Sequence, residues 1–203
     1  MKKTCPSLII GLIGAISLIV IGITLSAIGV SEESLRLTLR ETARISTLIF
    51  IIIFIASPLH KLMRNDISRW LMVNRRYWGI GFGVSHIIHL ALIICLISIY
   101  SNGELLSMAP MTSYIVGGIG YLLIFSMLAT SNDQSVKYLG HKHWKRLHTF
   151  GMYYLLLAFL SGYIGLLAKD FSLYAPIVAA LALACLARIF AFFSGATKKA
   201  RIA

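Results

Sequence analysis

The chain has 203 residues, 58% of them hydrophobic and only 13% charged, and a mean hydropathy of +0.84. That composition lies outside the soluble globular range and inside the membrane range. The net charge of +12 calls for no nucleic acid, because its surplus sits in loops that membrane topology alone makes basic.

Charged residues divide the chain into six apolar runs, 8–30, 45–60, 77–103, 105–132, 147–168 and 171–193. Crossing a ~30 Å hydrocarbon core takes roughly 17 to 25 helical residues, so each run is a candidate span and the second is marginal. The expectation is an all-α integral membrane protein, a single six-helix transmembrane bundle over residues 1–203 in contact with lipid. The first run follows Lys2 and Lys3 and exceeds the apolar core of about 7 to 15 residues usual for a signal peptide, so it is read as a retained helix. The second closes on "ASPLHKL". Lys61, Arg64, Arg69, Arg75 and Arg76 follow it, and Lys137, Lys142, Lys145 and Arg146 separate the fourth run from the fifth. The alternate connections carry fewer net positive charges, which places both termini in the cytoplasm.

The third run contains "GIGFG", whose Gly79 and Gly83 stand four apart and let one side of the helix approach a neighbour or a flat ligand. "GGIG" in the fourth run has no preceding strand and is no phosphate loop. Cys5, Cys95 and Cys185 form neither a disulfide framework nor a metal motif.

The histidines divide by depth. His60, His141, His143 and His148 lie at the basic ends of spans or in the basic loop, with His141 and His143 read as solvated. His86 and His89 fall ten and thirteen residues beyond Arg76, about 15 and 20 Å along a helix. Ionisable groups at that depth face a bundle interior, a cavity or a cofactor. Three uses compete: axial ligation of haem, a hydrogen bond to a neighbouring helix, and a proton path, the last without an acidic residue in any span. A zinc site is disfavoured, since the two histidines are three apart with no carboxylate or thiolate pair nearby.

"LATSNDQSVKYLGHKHWKRLHTFGMYY", with Ser131, Leu139, Gly140, Trp144, Leu147 and His148, resembles the loop and fifth helix of the ferric-reductase-like transmembrane domain family. "RRYWGIGFGVSHIIHL" resembles its third helix through Arg75, Arg76, Gly79 and His89, and "ASPLHKL" resembles the end of its second. The likeness spans nearly the whole chain and is nearest the short bacterial branch, the haem-binding membrane subunit that serves a periplasmic methionine sulfoxide reductase.

The resemblance implies a b-type cytochrome of the bacterial inner membrane. Such a subunit takes electrons from a cytoplasmic flavin reductase or from quinol and passes them to a periplasmic or outer-face partner. Relatives with two haems carry two histidines on each of helices 3 and 5; the corresponding positions here are Arg75, His89, His148 and Ser161. One haem b is therefore expected, with His89 and His148 on iron and His86 as substitute for His89. Arg75 and Arg76 are candidate partners of its propionates. Two other arrangements stay open: a cytoplasmic-side haem on His148 near His60 or Arg75, and an outer haem on His89 with an open sixth position. A haem-independent scaffold derived from the family is the alternative function. Met152, one turn beyond His148, is read as core, and Tyr77, Trp78 and Trp144 as interface anchors.

Overall fold

The computed structural model describes residues 5–100 and 111–200, and every element among them is an α-helix. Six of the seven helices are long and apolar enough to cross a membrane. The protein is an integral membrane protein whose outward face is a coat of exposed aliphatic and aromatic side chains, such as Leu12, Ile19, Leu122, Leu157 and Leu183.

α1 (Pro6–Ile28) opens with proline in its first turn and closes at Gly29, whose φ of 80° is the left-handed conformation that ends helices. α2 (Glu32–Leu62) begins thirteen residues before the uncharged run that announced it. Ser31 caps it reciprocally with Ser34, Glu32 and Glu33 sit in the first turn, and the ion pairs Glu32–Arg36 (2.7 Å) and Glu41–Arg44 (2.6 Å) carry the helix through its charged stretch. α3 (Asp66–Tyr100) likewise starts before its apolar run, with the Asn65 side chain accepting from the Ser68 amide at 2.9 Å.

Beyond the segment 101–110, which lies outside the described residues, α4 (Met111–Ala129) leads into a short helix, α5 (Asp133–Leu139), capped by Asn132. α5 is tied to α3 by Arg76–Asp133 at 2.6 Å. Gly140, with a φ of 75°, turns the chain into α6 (His141–Leu166), and α7 (Phe171–Ala200) follows Asp170, whose carboxylate accepts from the Leu173 amide at 3.0 Å.

The helices close into a ring. α3 packs on α2 and α1, α2 on α7, α7 on α6, α6 on α4, and α4 more sparingly on α3; α3 and α6 are not among the main pairings. Between them stand aromatic rings: Phe50 lies 5.6 Å from Phe54, 5.9 Å from Phe82 and 5.1 Å from Phe159. Phe50 and Phe54 are wholly buried.

A polar seam binds α1, α2 and α3. Ser34, Thr38, Thr42 and Ser46, four apart along α2, are all fully buried. Ser85 of α3 bonds Ser46 at 2.8 Å and Ser17 of α1 at 3.3 Å. In lipid, small hydroxyl-bearing residues allow close approach and add interhelical bonds worth about 0.6 kcal/mol each. The glycines of "GIGFG" serve this packing differently from the four-residue spacing. A Cβ at Gly81 would collide with Ile13 Cδ1 and one at Gly83 would stand 3.1 Å from Leu128 Cδ1, whereas Gly79 has nothing within 4 Å.

Candidate functional site: a histidine cavity between α3, α4 and α6

The gap between α3 and α6 is a cavity of about 470 Å³. His86, His89 and Ile93 line it from α3, Gly117, Gly120 and Tyr121 from α4, and Ala158, Phe159, Ser161 and Gly162 from α6. Its size falls within the range of ligand and cofactor pockets.

The polar seam fixes His89. Its Nδ1 lies 2.9 Å from Thr42 Oγ1, and the Thr42 hydroxyl has carbonyl acceptors at Thr38 (2.9 Å) and Leu39 (3.1 Å). With the hydroxyl hydrogen directed to those carbonyls, Thr42 Oγ1 accepts from His89 Nδ1–H. The Nε2 lone pair is thereby left for another partner. Metal-ligating histidines are oriented in this way, the non-ligating nitrogen donating to a protein acceptor.

His86, three residues earlier, is only 8% exposed, and its Nδ1 is buried without a hydrogen-bond partner. Its ring lies 5.9 Å from His89 and is boxed by Phe82 (4.6 Å), Tyr121 (5.7 Å) and Phe159 (5.7 Å). The Tyr121 hydroxyl is a second buried polar group with no partner. Leaving such groups unpaired costs about 1–3 kcal/mol each, so two lining one cavity point to a missing bonding partner there.

The other sequence-selected residues lie elsewhere. His148 does not line the cavity; it precedes Leu155, the first α6 residue to do so, by seven residues, or about 10 Å of helix. Its Nε2 stands 3.1 Å from Thr130 Oγ1, whose own hydroxyl donates to the Ser126 carbonyl at 2.7 Å, and its ring packs on Trp144 at 4.4 Å. Trp144 in turn donates to the Thr130 carbonyl at 2.9 Å. His148 thus holds α6 against the end of α4. Arg75 donates to the Ile53 carbonyl at 3.3 Å and Arg76 is paired with Asp133, so neither reaches the cavity.

His60 bonds Ser68 at 3.2 Å across the α2–α3 turn. His141 and His143 are exposed in the first turn of α6. Met152 belongs to the buried core.

Thr42 and Tyr121 were not singled out in the sequence. The signal for Thr42 was the Ser34–Thr38–Thr42–Ser46 repeat; Tyr121 is one aromatic residue in an apolar run and gave none.

The cavity meets the needs of a flat, largely apolar group with a nitrogen-seeking centre. Imidazole Nε2 is available at His89, unpartnered polar atoms stand at His86 and Tyr121, and a side chain at Gly117 or Gly162 would meet nothing within 4 Å. Among the described residues no three His, Cys, Asp or Glu side chains converge as they would for a bare metal ion; iron already held in a porphyrin needs only one or two protein ligands. No family model, no curated protein and no solved structure matches the chain.

Proposed function

We propose that the protein is a b-type cytochrome-like electron-transfer subunit of the ferric-reductase-like kind. It would hold one haem b in the cavity between α3, α4 and α6, with His89 as the axial ligand. The observation that carries this reading is the Thr42–His89 bond, which presents a neutral imidazole nitrogen to a cavity that also holds two unpartnered polar groups. Bound haem supplies one-electron redox chemistry; the protein supplies the ligand, its orientation and a shell that excludes water.

Of the arrangements left open by the sequence, this favours His89 with a sixth position facing α6. Ala158, Ser161 and Gly162 stand on that side, and none is a customary iron ligand. His148 is then a packing residue.

Both termini face the cytoplasm of a bacterial inner membrane in this reading, because Lys61, Arg64, Arg69, Lys142, Lys145 and Arg146 gather at one end. The histidine cavity lies in the opposite half. Electrons arrive from a cytoplasmic flavin reductase or from quinol and leave to a partner on the outer face.

The test is the absorption spectrum of the full chain purified from haem-replete cells. A b-type Soret and α band is expected, at about one haem per chain, and is lost in His89→Ala. A colourless wild-type preparation would overturn the reading and leave the haem-independent scaffold in its place.

A further inference from the structure

On the other side of the ring, α2 and α7 enclose a cavity of about 340 Å³, remote from the histidine pocket. Ser57, Pro58 and Lys61 line it from α2, Tyr153 from α6, and Arg188 and Ile189 from α7. Among the described residues, none that lines it is acidic. The Arg188 guanidinium sits 4.2 Å above the Phe54 ring and 5.3 Å from that of Tyr153. Neither Lys61 nor Arg188 forms an ion pair among the described residues.

Two cations facing one cavity of a membrane bundle, with no carboxylate among its described lining residues, are costly unless an anion joins them. Aromatic faces lower that cost for Arg188 but cancel no charge. The cavity's remaining wall is apolar, with Ile189, Phe192 and Phe193 on it, and the exposed Leu186 and Ala182, each about a turn further back along α7, lead from Ile189 toward the middle of the span.

From this juxtaposition we infer that the α2–α7 cavity is a binding site for an anionic phospholipid. Its phosphate bonds Arg188, Lys61 and the Ser57 hydroxyl, and an acyl chain lies along Ile189, Leu186 and Ala182. Guanidinium and ammonium donors match phosphate oxygens, and basic pockets between transmembrane helices favour anionic headgroups. The site is independent of the haem reading, since it shares no lining residue with the histidine cavity.

The test uses the full chain purified in neutral detergent, with retained phospholipid counted by mass spectrometry. Thermal melting follows in nanodiscs of phosphatidylcholine with and without phosphatidylglycerol. The wild type is expected to retain about one anionic phospholipid per chain and to melt higher when phosphatidylglycerol is present. Lys61→Gln with Arg188→Gln should lower retention about tenfold. Lys137→Gln with Lys142→Gln, at the same basic end but away from the cavity, should not. Arg188→Lys keeps the charge and should keep the lipid, which guards against a fold lost with Arg188.

The inference is overturned if the paired glutamine variant retains lipid normally, if the control pair loses as much, or if phosphatidylcholine is held equally well. It is also overturned if millimolar inorganic phosphate alone reproduces the thermal shift, which would identify a soluble phosphate site.

Discussion

Replacing Thr42 by valine removes one oxygen and nearly conserves shape, and it isolates how the chain prepares His89. The wild-type bond is 2.9 Å between buried groups. Its loss leaves His89 two options. The ring can keep its proton on Nδ1, where an unpaired buried donor costs about 1–3 kcal/mol. It can instead move the proton to Nε2, which removes the lone pair that a metal would use. Removing a partner behind a ligating histidine typically weakens metal binding 10- to 100-fold, so haem affinity should fall by about that factor. Stability without haem should fall by only about 1 kcal/mol, since bonds between transmembrane helices are individually weak. Haem titration of the apoprotein, followed at the Soret band, measures the first quantity, and thermal melting of the apoprotein measures the second. Thr42→Ser restores the oxygen and should restore most of the affinity. Haem affinity within twofold of wild type in Thr42→Val would refute the assignment of Thr42 as the residue that orients His89.

Ser161→His places an imidazole on the α6 wall of the cavity, and the expected outcome is a six-coordinate low-spin spectrum at unchanged haem content; electron paramagnetic resonance that stays as in wild type would argue against an iron facing that wall. His148→Ala should leave haem content intact while lowering the melting temperature, by about 1 kcal/mol of stability, because it removes the Thr130 bond and the stacking on Trp144. Loss of haem in that variant would return His148 to the iron. Gly81→Ala should destabilise by about 1–3 kcal/mol, because the new methyl meets Ile13 at Cβ and Cγ1 (both 3.4 Å) as well as at Cδ1. Gly79→Ala meets nothing and should be neutral or slightly stabilising, a contrast readable from paired thermal melts.

The number of spans was legible because lipid punishes charge, but their beginnings were not. Cutting the chain at Arg44 and Arg76 discards helix wherever an arginine is paired one turn from a glutamate or sits beyond the hydrocarbon, which is how α2 and α3 came to be thirteen and eleven residues longer at their starts than their uncharged runs. Ser31 and Asn65 marked those starts as caps, each followed three residues later by a serine. The depth of His86 and His89 was readable from helical rise alone, and both line the cavity.

What periodicity could not supply was a partner distant in sequence. Thr42 is 47 positions from His89, and only the packing of α2 on α3 brings them together. Gly79 looked equivalent to Gly83 by spacing, yet the crossing of α1 selects Gly81 instead. The separation of His148 from His89 was legible as a mismatch in depth; the cavity's placement, two turns along α6 from His148, bears on which arrangement of ligands is favoured.

The seam of hydroxyls that joins α1, α2 and α3 also bears on biosynthesis. These three helices precede α4, α6 and α7 in the chain, and every bond of the seam lies within them, so they can dock as a unit before the later helices enter the bilayer. By that point Thr42 has already oriented His89 on a finished surface. The later helices then close over it, α4 with only sparing contact to α3.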